Sequence, residues 1–245
     1  MRLDKVIAVR TSRTVYRDGD DCIKVFDADH PKTGVFAEAL NQARMEETGL
    51  NVPGIIRVDT FGGKWAIVSR YIKGKTLSRL MEENPGKRAE YLELMVDLQK
   101  DVHSRQCPAL NAMKDEMSYM IDQAQLSAAT RYALRTRLES MPRDNKVCHG
   151  DFEPSNIIIA ADGAPYILDW ARATRGDASA DAAWTYLRFR LEGDEILAGE
   201  YLRLFCLKSN TEKSHVLGWI PLAAAARSVN CNAREREFLL SCVEL

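Results

Sequence analysis

Over roughly the first seventy residues, apolar and polar positions alternate in short runs; after that, apolar residues recur mostly at helical spacing. Segments 6–9, 14–17 and 21–26 are rich in β-branched or aromatic residues, and Asp18-Gly19-Asp20 between the last two signals a hairpin. From 34 to 48, Phe36, Ala39, Leu40 and Ala43 recur as one face of a helix, and Gly49 is a natural stop. Segments 55–61 and 64–71 flank Gly62-Gly63, a second hairpin turn. The order strands, helix, strands predicts a small antiparallel sheet with one helix.

Past Gly74 the pattern becomes helical. Between 89 and 104, Tyr91, Leu94, Met95, Leu98 and Val102 form a stripe that is predicted to face a core. Further helices are expected over 111–125, 127–140, 177–191, 194–207, 212–227 and 233–242. One β interruption lies among them, with strands 156–160 and 166–169 around Asp162-Gly163. No internal repeat is visible. The expected class is α+β in two lobes: a small N-terminal lobe, 1–72, with an antiparallel sheet plus one helix, and a larger, mostly α-helical lobe, 73–245.

Composition narrows the partners. Of the 245 residues 46% are apolar, enough for a core without staples, and 34 Lys plus Arg nearly cancel 35 Asp plus Glu. No overall field would draw the chain to nucleic acid or to a membrane, so a small-molecule or protein partner is expected. There is no run of 18 apolar residues and no signal-like start, which predicts a cytoplasmic protein. The six cysteines form no CxxC pair and read as free thiols. Cys148 adjoins His149, but neighbours on an extended segment point to opposite faces, which argues against a nucleophile and its base.

The chemistry concentrates in His149-Gly150-Asp151-Phe152-Glu153-Pro154-Ser155-Asn156, which runs into the 156–169 hairpin, and in Asp169-Trp170 at its far side. The hairpin would bring Asp151, Asn156 and Asp169 together. Two carboxylates and an amide are hard oxygen donors that suit magnesium, which prefers a few protein oxygens plus phosphate and water. Asn156 and Asp169 are then the metal ligands, and Asp151 the proton acceptor that faces an acceptor hydroxyl. A lone Asp beside an Asp-Gly turn would be read as a turn cap. The whole pattern is too specific for that.

These residues, with Ile167-Leu168-Asp169-Trp170, resemble the catalytic loop and metal motif of the aminoglycoside phosphotransferase and choline kinase families, relatives of the protein kinases. The resemblance implies a protein-kinase-like fold, ATP or GTP as donor, Mg2+, and a small-molecule hydroxyl as acceptor. It assigns the catalytic base to Asp151 and the metal to Asn156 and Asp169. It also implies a phosphate-binding lysine on the third strand, where Lys24 stands, held by a carboxylate: Glu38, or alternatively Glu46 or Glu47. Segment 67–74 resembles the family's hinge, where backbone groups of residues such as Arg70 and Ile72 would bind adenine. Asp181 resembles an aspartate that braces the catalytic loop, and is read as structural. The turn Arg10-Thr11-Ser12-Arg13-Thr14 departs from a Gly-rich loop, since it has no glycine, so hydroxyls or amides of Ser12 and Thr14 are the expected phosphate caps.

His149 and His103 read as packing histidines; His30 and His215 carry no signal. Trp170, Trp184, Tyr186, Glu192, Asp194 and Glu195 are candidate walls for a cationic acceptor, or else core aromatics and solvated charges. Arg172 and Arg175 argue for an anionic group near Asp169. The alternative to a small-molecule kinase is a catalytically silent nucleotide-binding regulatory module of the same fold. Such modules usually lack the lysine, the base or a metal ligand, and this chain has all of them. A protein kinase is a third reading, which the HGD and DW forms disfavour.

Overall fold

The computed structural model describes residues 5–10 and 12–243; Thr11, in the first turn, lies outside the described residues. The first part of the chain runs β1 (Lys5–Arg10), β2 (Arg13–Asp18), β3 (Asp21–Phe26), α1 (Lys32–Glu46), β4 (Ile55–Phe61), β5 (Lys64–Arg70), β6 (Gly74–Thr76) and α2 (Leu77–Glu83). Then follow α3 (Arg88–Ser104), α4 (Met113–Gln123), α5 (Ala128–Ser140), β7 (Lys146–Cys148), β8 (Ile157–Ala160), β9 (Pro165–Ile167) and β10 (Thr174–Gly176). The chain closes with α6 (Ala178–Leu191), α7 (Glu195–Ser209), α8 (Lys213–Gly218), α9 (Ile220–Arg227) and α10 (Ala233–Ser241). By contacts the chain divides into two compact units, Met1–Lys87 with Pro154–Arg172, and Arg88–Glu153 with Ala173–Leu245.

The first unit carries a five-stranded antiparallel sheet in the order β1-β2-β3-β5-β4. Strand alternation sorts β3 onto two faces. Ile23 and Val25 pack with Ala66 and Val68 on one side, while Phe26 meets Val35 and Ala39 of α1 and Ile67 on the other. The β4–β5 turn needs two residues with positive φ, and Gly62 (56°) and Gly63 (79°) supply them at no steric cost. A second sheet, β6-β8-β9, holds the hairpin predicted between 156 and 169. At Gly74 a Cβ would fall 2.2 Å from the Ile159 carbonyl oxygen, so only glycine lets β6 lie this close to β8.

Helix α1 corrects one sequence expectation. Phe36 and Leu40 are 45% and 51% exposed, and the buried face is Val35, Glu38, Ala39, Gln42 and Met45. Two polar residues face inward because each has a partner there: Glu38 pairs with Lys24, and Gln42 Nε2 donates to the Pro53 carbonyl at 2.6 Å.

In the second unit, α3 shows the same rotation. Its buried residues are Leu92, Met95, Val96, Gln99, Val102 and His103, while Tyr91, Leu94 and Leu98 are half-buried. The helix expected over 212–227 is two helices, α8 and α9, divided at Trp219, with Pro221 in the first turn of the second. Proline fits a first turn but not a helix interior. Ala223 to Ala226 of α9 are at most 1% exposed, and their small side chains let α9 pack against α4 and α6. Strands β7 and β10 form a short antiparallel pair. Among the described residues no helix is long and apolar enough to cross a membrane.

Candidate active site

In the first unit the sheet's register builds an ionic cluster. Lys24 lies opposite Val15 on β2 and Ile67 on β5, and Arg13, two residues before Val15, shares that face. The Lys24 ammonium bonds Glu38 Oε1 and lies 3.2 Å from Asp169 Oδ1, while Arg13 Nη2 bonds Asp169 Oδ2. Burial alone would pull the Lys24 pKa down, but the carboxylates of Asp169 and Glu38 outweigh it and hold it above the usual lysine value. Of the alternatives to Glu38, Glu46 accepts from the Ile55 N–H at 2.7 Å, and Glu47 is exposed. Asp169 itself sits at φ 65°, in the left-handed region, which aspartate tolerates better than most residues.

One pocket within this unit is lined by Lys24, Asp169 and Asn156 together with Arg70, Ile72 and Arg13. Ser12 and Thr14 are not among its lining residues. The Ser12 carbonyl accepts from Asp27 N–H at 3.0 Å, and Thr14 alternates with Arg13 onto the other face of β2. Asn156 is buried, and its carbonyl accepts from Leu168 N–H at 2.8 Å, tying together the two sides of the hairpin. A carboxylate and an amide on one pocket wall fit magnesium, which takes most of its ligands from phosphate and water. Among the described residues no cluster of three or more His, Cys, Asp or Glu is placed to hold a metal. Trp170, next to Asp169, is fully buried and donates to the Ile167 carbonyl at 3.1 Å, so it is a core residue.

The second unit holds Asp151. Its loop turns at Gly150, φ 77°, and the Asp151 N–H donates to His149 Nδ1 at 3.1 Å, so the proton of that ring belongs on Nε2. Asp181 braces the loop: Oδ1 accepts from Gly150 N–H at 2.7 Å, and Oδ2 faces His103 Nε2 at 2.9 Å and Gln99 Nε2 at 3.3 Å. Burial pushes the Asp181 carboxyl up, yet the hydrogen bond from His103 and that from Gly150 outweigh it and keep it below the usual carboxylate range. Gln99 is fixed in turn by Tyr201, whose hydroxyl donates to Oε1 at 2.7 Å. Sequence reading missed Gln99 and Tyr201, since a polar residue inside an apolar helix stripe carries no signal until its partner is known.

Around Asp151 the same unit places Arg227, whose Nη2 is 3.2 Å from Oδ1 and whose guanidinium lies over the Trp184 ring at 5.5 Å. Arg188 pairs with Glu153 at 2.6 Å and with Glu192 at 3.0 Å. Other residues weighed as acceptor contacts serve the fold. Asp194 caps α7 through Leu197 N–H, Glu195 pairs with Arg190, and Arg175 donates to the Leu110 carbonyl at 3.0 Å. His215, which gave no signal, pairs with Asp177, the N-cap of α6, at 3.0 Å. Cys148 is fully buried, and burial pushes its thiol well above the ordinary value, so it is no thiolate nucleophile.

No curated protein sequence matches the chain. Solved structures do. A choline/ethanolamine kinase family protein from Mesorhizobium loti aligns at TM-score 0.65 and 17% identity, over 99% of this chain and 87% of that one. A thermostable mutant of aminoglycoside phosphotransferase APH(4)-Ia, in ternary complex with ADP and hygromycin B, aligns at 0.71 and 14%, over 97% and 90%. The choline kinase LicA from Streptococcus pneumoniae aligns at 0.64 and 14%, over 98% and 94%. At such identities the likeness establishes the α+β, kinase-like fold. The model of the phosphotransferase enzyme family, APH, matches residues 5–217, most of the chain, and the chain therefore belongs to that family.

Proposed function

We propose that this protein transfers the γ-phosphoryl group of ATP, with Mg2+, to a hydroxyl of a small molecule, residues 1–72 forming the nucleotide lobe and 73–245 the catalytic and acceptor lobe. The observation that carries the reading is the pocket on which Lys24, Asn156 and Asp169 meet, with Glu38 behind the lysine. Phosphoryl transfer asks mainly for positioning and for charge opposite the phosphates. Lys24, held by Glu38, contacts the α and β phosphates. Asn156 and Asp169 would hold the magnesium, which would offset the charge of the phosphates when bound. Arg70 and Ile72, on the same pocket, meet the adenine with their backbone groups.

Asp151 receives the proton of the acceptor hydroxyl as that oxygen bonds to the γ-phosphorus and the bond from phosphorus to the β-phosphate oxygen breaks, leaving ADP. Bracing of its loop by Asp181 supports this role, because a base that must meet a hydroxyl in one geometry needs a fixed backbone. The test is ADP release with ATP and Mg2+ against aminoglycosides, choline, ethanolamine, amino sugars and nucleosides. Acceptor-stimulated release should fall roughly 10² to 10⁴-fold in Asp151→Asn while nucleotide still binds. Unchanged turnover in that variant would remove Asp151 from the mechanism, and nucleotide binding with no release for any acceptor class would point to the silent regulatory module.

A further inference from the structure

We propose that Arg13 is a ligand of the terminal phosphates, doing with a side chain what a glycine-rich turn does with backbone N–H groups. The inference deepens the kinase reading and rests on it. Arg10 and Arg13 pair across the end of the β1–β2 hairpin, and the turn between them contains no glycine. A turn without glycine is poorly suited to bringing its backbone against a phosphate. Arg13 instead enters the pocket from the sheet face that carries Lys24, and the two side chains grip the two oxygens of one carboxylate, Asp169.

The charges in that pocket are unbalanced. Among the described residues, Arg10, Arg13, Lys24 and Arg70 line it against the one carboxylate of Asp169. Glu38 answers for Lys24 from behind. When Asp169 serves a metal ion, it can no longer satisfy both Lys24 and Arg13; Lys24 keeps Glu38, and Arg13 is the cation left to turn toward the nucleotide. Its planar guanidinium bonds two phosphate oxygens in one fixed fork, whereas a lysine acts as a point charge with rotatable donors. Arg13, which bonds Asp169 from the sheet face that carries Lys24, should reach the β and γ phosphates, while Lys24 meets the α and β phosphates.

Calorimetric titration of the full chain with ATP, ADP and AMP in Mg2+ tests this without turnover. Arg13→Gln should weaken ATP and ADP binding roughly ten- to hundredfold, the range of a charge-assisted hydrogen bond, while AMP affinity changes less than about threefold. Arg13→Lys should recover part of the loss and serves as the probe if the glutamine variant does not fold. Equal losses for AMP and ADP, unchanged affinity for all three, or tighter ATP binding would each overturn the proposal, the last by making Arg13 a competitor of the metal. Absence of nucleotide binding by the unaltered protein would instead sink the kinase reading beneath it.

Discussion

Asp169 and Asp181 are both carboxylates gripped at both oxygens, yet their surroundings differ in kind. Asp169 is 15% exposed on a pocket wall and is held by two full cations, Arg13 and Lys24. Asp181 has no exposed surface, and hydrogen bonds from Gly150, His103 and Gln99 satisfy it. A buried group that loses its partner has no water to replace it, so the Asp181 network is costly to disturb. A carboxylate at a pocket wall can trade one cation for another at small cost. The first cluster is thus built to exchange partners, and the second to keep one backbone geometry.

The largest effect that would test this contrast is in the second unit. Asp181→Ala strands the Gly150 N–H, Gln99 and His103 at once, and should cost about 3–5 kcal/mol of stability in urea unfolding. A loss below about 1 kcal/mol would mean that the network is not the scaffold described. Glu38→Gln, in the exchanging cluster, should cost only about 1–2 kcal/mol, because Asp169 still faces Lys24, while ATP affinity falls roughly tenfold. If its stability loss matched that of Asp181→Ala, the two clusters would not differ as argued.

The two sites should also respond to pH in opposite directions. The Asp181 carboxyl lies below its unfolded value, so its contribution is present above about pH 4 and is lost as pH falls through the depressed pKa, at up to about 1.4 kcal/mol per pH unit. Lys24 lies above its unfolded value, so its contribution is present below about pH 10.4 and is lost as pH rises through the raised one. Unfolding free energies between pH 2 and pH 5 should flatten in Asp181→Ala; an unchanged acid slope would remove Asp181 as its source. The smallest effect is local: Asp177→Ala deletes the α6 cap on Ser179 N–H, 2.7 Å, together with the His215 pair, and should lower stability by about 1–2 kcal/mol, read as a shift in thermal midpoint.

Most of the candidate residues are legible as residue types, because the proposed chemistry needs particular atoms. The oxygens of Asp151, Asn156 and Asp169, the ammonium of Lys24 and the glycines of the hairpins stand out before any coordinate is known. Short elements were not legible: β6, β7 and β10 are three residues each, too short for an alternation to register. The inward faces of α1 and α3 were misread for another reason. Apolar periodicity assumes that what is buried is apolar, whereas Glu38, Gln42, Gln99 and His103 are buried for their hydrogen bonds.

By itself, then, the sequence determined the fold class, the order of the larger elements and the chemical vocabulary of the site, since backbone propensity and side-chain chemistry are local properties. Only the tertiary structure decided that Lys24 meets Glu38 and not Glu46 or Glu47, that Arg13 reaches Asp169 across 156 residues of chain, and that Gln99 and His103 hold the second oxygen of Asp181. Those pairings depend on sheet register and on the rotation of α1 and α3, and both are set by packing the whole core rather than by any window of sequence.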